Sequence, residues 1–226
     1  MPNEIIWVLF ALINFVLFMI MYKLFGKLGI FAWIAMSTIL ANIQVTEILD
    51  LFGLNANLGN IMYGTIFLGT DALNEIYGKK EAKKAVYMGF TIMIFTLIIM
   101  TVALQFHPGA EDTGYDALNS IFGIRYPWVV VGSFTAFIIS QTIDVNLFQW
   151  IRRKLPDNKY LWIRNNGSTI VSQLVDTAIF VTIAFVFFFD INVLLEIMLS
   201  TYLIKVMVAA LDTPFIYLAK KIKPIS

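Results

Sequence analysis

Residues 85–106 read AVYMGFTIMIFTLIIMTVALQF, a run of 22 side chains without one formal charge. A helix that crosses the hydrocarbon of a bilayer needs about 20 such residues. Just before it, Lys79-Lys80-Glu81-Ala82-Lys83-Lys84 is as polar as the run is apolar, which marks where the chain meets water. The whole sequence shares this character: of 226 residues, 59% are hydrophobic and 14% charged, and the mean hydropathy is +0.80. Soluble domains hold about 45–50% apolar and about 25% charged residues. The surplus here exceeds what one core can bury and must face lipid. That balance excludes a soluble enzyme, a nucleic-acid binder and a disordered tail. The absence of cysteine removes disulfides, thiolate catalysis and thiolate metal sites, and a single His107 removes a histidine-rich centre. No metal or cofactor is expected.

Six further stretches qualify as spans, at 5–22, 30–50, 58–77, 128–151, 168–189 and 194–219. The span at 58–77 is the weakest, diluted by Gly59, Gly64, Gly69, Asp71 and Glu75. It could also be a broken or re-entrant helix, covered by protein or a wet cavity. Basic residues fill every second connection: Lys23 and Lys27; the 79–84 cluster; Arg152, Arg153, Lys154, Lys159 and Arg164; then Lys220, Lys221 and Lys223. Positive charge stays in the cytoplasm. Seven spans with the N-terminus outside and the C-terminus inside satisfy that rule, with Arg125 alone against it. The expected protein is therefore an all-α polytopic bundle of about seven transmembrane helices in the cytoplasmic membrane, one domain over residues 1–226. The acidic start, MPNE, reads as part of a reverse signal-anchor, because no small-residue cleavage pattern follows its apolar run. No phosphate-binding G-x-x-x-x-G-K-[ST] loop occurs, so ATP hydrolysis would have to come from a partner.

Polar residues inside the spans carry the functional signal. An ionisable group at mid-membrane costs about 2.5–3.5 kcal/mol, yet Glu47, Asp71, Glu75, Asp144, Asp176, Lys205 and Asp212 all fall there. Asn42, Gln44, Gln141, Asn146 and Gln173 join them. Measured from the cytoplasmic ends of these spans, Asp71, Asp144, Asp176 and Asp212 lie roughly 9–12 Å deep, in one expected layer. Four acids in one dry layer need protons, cations or a polar ligand, and Lys205 can neutralise one of them. An internal repeat supports a built site. Ser140-Gln-Thr-Ile-Asp144-Val-Asn-Leu-Phe148 and Ser172-Gln-Leu-Val-Asp176-Thr-Ala-Ile-Phe180 share S-Q-x-x-D-x-x-x-F on helices of opposite direction, with the two carboxylates expected level. Inverted repeats with polar groups between them mark transporters. Intramembrane proteolysis by paired aspartates would need a G-x-G-D motif, which neither Asp71 nor Asp144 has. Asn166-Gly167-Ser168 reads as a turn, with Ser168 capping the sixth span.

At these residues a family resemblance appears. Phe67-Leu-Gly-Thr-Asp71-Ala-Leu-Asn-Glu75-Ile-Tyr-Gly78 before a basic cluster is one signature, and Ser140-Gln141-x-x-Asp144-Val-Asn146-x-Phe148 before Arg-Arg-Lys is a second. Arg164, Ser168-Thr169, Gln173 and Asp176 form a third, and Lys205 a fourth. In this order, over about residues 35–219, the sequence resembles the queuosine precursor transporters, also called vitamin uptake transporters. The resemblance implies uptake of a 7-deazaguanine base (7-cyano- or 7-aminomethyl-7-deazaguanine, or queuine) for tRNA modification. It also implies a six-helix core, about 30–219, similar to the substrate-binding components of energy-coupling-factor transporters, with 5–22 as an added span. The candidate binding residues are Asn42, Asp71, Glu75, Gln141, Asp144, Asn146, Gln173, Asp176 and Lys205. A guanine-like edge offers an N–H and an amine to a carboxylate and a carbonyl to a donor, and its flat face suits an aromatic ring. The expected partners are this small molecule and the bilayer, with a homodimer as a candidate assembly and no nucleic acid. Two rivals stay open: an ion- or proton-coupled carrier of another small solute, and a binding component that needs an ATPase.

Overall fold

The computed structural model describes residues 1–123 and 127–225; Arg125, the basic residue against the charge rule, lies outside them. The elements run α1 (Asn3–Gln44), β1 (Ile48–Leu51), β2 (Leu54–Asn57), α2 (Gly59–Ile76), α3 (Lys79–Ala103), α4 (Tyr115–Phe122), α5 (Pro127–Lys154), α6 (Leu161–Phe185) and α7 (Ile191–Lys221). Among the described residues, α1, α3, α5, α6 and α7 are long and apolar enough to cross a membrane. The chain is an all-α membrane protein with one small hairpin.

α1 is not one straight rod. Gly26 adopts φ 54 and ψ −136, outside the helical region. Phe18 and Trp33 flank it by fifteen residues, which a continuous helix would hold about 22 Å apart. Their rings instead meet at 6.0 Å. The chain therefore folds back at Gly26, between Lys23 and Lys27, into two antiparallel limbs, 3–25 and 27–44. Gly29 makes the fold-back possible, since a Cβ there would lie 2.2 Å from the carbonyl oxygen of Met21.

The diluted span, α2, turns out to be the innermost helix. Nearly every residue of it is buried, including the polar Asn60, Thr65, Thr70, Asp71, Asn74 and Glu75. α1, α3, α5 and α7 pack around it. A helix that never meets lipid has no need of an apolar surface, and its glycines admit neighbours. A Cβ on Gly64 would sit 2.3 Å from Val208 Cγ1 of α7, and one on Gly69 would sit 2.9 Å from Ile34 Cγ1 of α1.

Three sequence expectations are corrected here. The span 30–50 stops at Gln44, and residues 48–57 form an antiparallel hairpin pairing Leu51 with Leu54. Phe52 and Gly53, at φ 56 and 73, supply the two positive φ angles that a tight type I′ turn requires. Glu47, expected inside the membrane, is an exposed residue at the foot of this hairpin. The sixth span begins at Leu161, so Asn166-Gly167-Ser168 is helix rather than a turn, and Ser168 Oγ bonds the carbonyl of Asn165 instead of capping. Pro156 and Asp157 make the actual break between α5 and α6, which a sequence of Arg, Asn and Gly immediately afterwards disguises.

Candidate functional site

The hairpin is strapped to the start of α1. Asn3 Nδ2 donates to the carbonyl of Asp50 at 3.2 Å, Phe52 N donates to Glu4 Oε1 at 3.3 Å, and the Trp7 and Phe52 rings meet edge to face at 6.3 Å. Beneath the hairpin, between the second limb of α1, α2, α3, α5, α6 and α7, lies a cavity that opens toward solvent. Small-molecule pockets combine apolar walls with a few converging polar groups. Here Ile66, Met93, Phe137 and Phe180 supply the walls.

The polar floor is built around Asp176. Lys205 of α7 forms an ion pair with Asp176 Oδ2, and both residues are buried. Tyr63 of α2 donates its hydroxyl to Asp176 Oδ1 at 2.7 Å, and Ser140 of α5 donates to the same oxygen at 2.9 Å. Oδ1 is thereby filled, while Oδ2 keeps a lone pair and Lys205 keeps donors beyond the one it spends. The Lys205 ammonium also rests 4.9 Å from the centre of the Tyr63 ring, close enough for a cation–π attraction. Phe67 and Phe137 meet the same ring edge to face at 5.5 and 6.2 Å. Four helices thus converge on one carboxylate.

The repeat explains why. Ser140 of the first copy bonds Asp176 of the second, and Ser172 of the second bonds Asp144 Oδ1 of the first, each at 2.9 Å. Antiparallel helices pair residues whose numbers sum to a constant, so each serine faces the other copy's aspartate. The carboxylates therefore stand one turn apart, about 6 Å along the axis, and the expected single layer of four acids is wrong. Asp176 belongs to the cavity. Asp71, Asp144 and Asp212 form a separate group nearer the basic loops. There Thr169 Oγ1 lies 3.4 Å from Asp71 Oδ2, Asn165 Nδ2 donates to Asp212 Oδ1 at 2.7 Å, and Asp71 and Asp144 are direct neighbours. Asp71 Oδ1 and Asp144 Oδ2 are buried and meet no donor among the described residues.

The other candidates divide as follows. Glu75 sits below the acid group, ringed by Lys220 at 2.6 Å, Arg164 at 3.0 Å and Arg152 at 3.7 Å. Arg164, placed in a loop by the sequence, is fully buried in α6 and also donates to the carbonyls of Leu155, Pro156 and Asp157. This network ties together the ends of α2, α5, α6 and α7, so Glu75 acts as a fastener away from the cavity. Gln141 accepts from Thr70 at 3.3 Å beside the acid group, and Gln173 is buried in α6 with its carbonyl oxygen unmatched among the described residues. Asn146 spends its amide on the carbonyl of Thr142 in its own helix and is not brought to the cavity. Asn42 lines the cavity wall. Tyr63, Asn60 and Phe137 also line it, and the sequence reading passed over them. Tyr63 lies eight residues before Asp71 on the same helix, a spacing that puts it on the same face two turns away.

A helical membrane bundle with an apolar-walled cavity and a buried acid–base pair at its floor fits a small-solute membrane transporter. The chain belongs to the vitamin uptake transporter family, that of the queuosine precursor transporters: residues 57–219 match the family described as "Putative vitamin uptake transporter". It is 48% identical over 224 residues to a "Probable queuosine precursor transporter" of Bacillus subtilis (strain 168), covering 99% of this chain and 97% of that protein. It is also similar to the "Queuosine precursor transporter" of Escherichia coli (strain K12), 26% identical over 73% of this chain and 70% of that one. A third relative, from Haemophilus influenzae, shares 27% identity over 59% of this chain and 54% of its own length. No solved structure matches the chain at a significant level.

Proposed function

We propose that this protein imports a queuosine precursor, a 7-deazaguanine base such as 7-cyano- or 7-aminomethyl-7-deazaguanine or queuine, and releases it unaltered for tRNA modification. The observation that carries the reading is the cavity floor, where an Asp176 acceptor stands beside a Lys205 donor under aromatic walls. The lactam edge of a guanine-like ring presents an N–H beside a carbonyl, the complement of that pair. With the acid and base already neutralising one another, the cavity suits a neutral, flat ligand. The relatives named above carry the same substrate in their names.

In this reading seven spans cross the cytoplasmic membrane: the two limbs of α1, then α2, α3, α5, α6 and α7. The N-terminus is outside, the cavity opens outward, and the Glu75 network closes the cytoplasmic end. Residues 30–219 form a six-helix core like the binding components of energy-coupling-factor transporters, and the first limb is an addition that holds the hairpin over the mouth. The partner is a small molecule, and no catalytic step is needed.

A second reading, proton-coupled transport, is favoured by the group of Asp71, Asp144 and Asp212, which holds three acids and, among the described residues, no base of its own. Uptake of labelled 7-cyano-7-deazaguanine by purified protein in liposomes tests the proposal. Saturable uptake, competed by other deazaguanines and indifferent to unrelated vitamins, is expected. Uptake that appears only when an ATPase is added would assign the chain to the binding-component class, and no uptake or binding in either condition would overturn the substrate.

A further inference from the structure

The floor is not the cavity's only reader of polar edges. Asn60 opens α2, one turn nearer the hairpin than Tyr63, and is 3% exposed. Its Nδ2 nevertheless meets no acceptor among the described residues. A buried amide N–H without a partner is costly, and natural structures keep few of them. Its place on the cavity lining gives the missing acceptor somewhere to come from. Across from it on the second limb of α1, Asn42 donates Nδ2 to the carbonyl of Thr38 at 2.7 Å. That bond spends one of its two N–H groups, and its carbonyl oxygen receives no hydrogen bond among the described residues. The outer part of the cavity thus repeats the logic of the floor, one donor and one acceptor, but with uncharged groups.

We infer that Asn60 and Asn42 form a second polar subsite that reads the ligand edge opposite the one held by Asp176 and Lys205, with Asn60 selecting for an acceptor on that edge. The inference rests on the deazaguanine reading and deepens it. With the six-membered ring of the base on the floor, its five-membered ring points toward the asparagines. The ring N–H suits the Asn42 carbonyl, and the substituent on carbon 7 suits Asn60. A nitrile there is an acceptor for Nδ2; a hydrogen in the same place leaves Asn60 unsatisfied, and an ammonium opposes it donor to donor. A site built to hydrogen-bond one group rejects the analogue that lacks it because its own buried group is then stranded.

Titration calorimetry on the purified full chain in detergent, with 7-cyano-7-deazaguanine and unsubstituted 7-deazaguanine, and with 7-aminomethyl-7-deazaguanine where Asn60→Asp is compared with the wild type, tests this. The wild type should bind the nitrile about tenfold more tightly, the value of one buried hydrogen bond. Asn60→Ala should lose that factor for the nitrile, keep its affinity for the unsubstituted ring within about twofold, and so bring the ratio near one. Asn60→Asp, which replaces the donor with an anionic acceptor, should shift preference toward the 7-aminomethyl cation, a reversal that a purely structural role for Asn60 cannot produce. Equal losses for both ligands in Asn60→Ala, an unchanged ratio, or no change in preference in Asn60→Asp overturns the subsite while the substrate stands. Failure of the wild type to bind either deazaguanine overturns the substrate reading and the subsite with it.

Discussion

A buried ion pair in a membrane protein tolerates the loss of both members better than the loss of one. Breaking such a pair by removing a single partner costs about 3–5 kcal/mol, because the survivor stays charged and uncompensated. Lys205→Met should therefore lower the melting temperature of the protein in detergent more than Asp176→Asn with Lys205→Met together. Both variants should lose ligand binding, since each removes half of the donor–acceptor floor. Recovery of stability without recovery of binding in the double variant, read by thermal melting and calorimetry, is the expected outcome; recovery of both would show that the pair only packs. Tyr63→Phe removes one bond to a charged acceptor, worth about 1.5–3 kcal/mol of stability, and should lower the melting temperature in detergent by less than Lys205→Met does.

Legibility at this scale followed chemistry rather than geometry. Asp176 and Lys205 stand out in sequence because ions in an apolar run demand a reason. Tyr63, Phe137 and Asn60 do not, since aromatic and amide residues have structural uses throughout a bundle. The misplaced layer of four acids has a different origin. The expected depth counts from helix ends, and α6 begins at Leu161, seven residues before the expected 168. Arg164, Asn165 and Asn166 look like a water-facing loop until Glu75 is seen to pair with Arg164. That contact joins residues 89 apart, and local sequence carries no trace of it.

Among the elements, α2 shows why hydropathy and importance diverge. Its glycines lower its hydropathy and at the same time let it sit at the centre. Gly64→Ala places a methyl 2.3 Å from Val208 Cγ1, and overpacking of this kind costs about 1–3 kcal/mol. Val208→Ala alone opens a small void. Combined, the two changes fill one space with the other, so the double variant should melt above Gly64→Ala. Simple addition of the two losses would mean that α2 and α7 do not meet as described. The hairpin was the least legible element. Its turn places Phe52, a bulky residue, at positive φ, where glycine or asparagine is the usual signal. What stabilises it is the Trp7 ring and the polar bonds from Asn3 and Glu4, all about fifty residues distant.

At the scale of the molecule, the alternating basic loops predict an orientation that can be checked directly. The chain has no native cysteine, so single cysteines at Asn3 and Lys223 should react with a membrane-impermeant reagent from outside and from inside respectively. Reaction of both from one side would remove the seven-span reading. The separation of Asp176 from the group of Asp71, Asp144 and Asp212 leads to a second experiment. If the inner acids couple transport to protons, accumulation in liposomes should follow an imposed pH gradient and vanish with a proton ionophore. Asp144→Asn should then abolish gradient-driven accumulation while leaving calorimetric binding nearly intact. Accumulation indifferent to the gradient would leave those acids a structural role.

The Asp176–Lys205 pair also bears on how the protein is made. α6 and α7 are consecutive, joined by the short loop of residues 186–190, and emerge from the ribosome one after the other. Alone in the translocon, α7 would carry Lys205 into lipid unmatched, at the mid-membrane cost of a bare cation. Entering beside α6, it brings its charge directly to Asp176. The last two helices are thus suited to partition into the bilayer as a matched hairpin, each carrying the charge that the other needs.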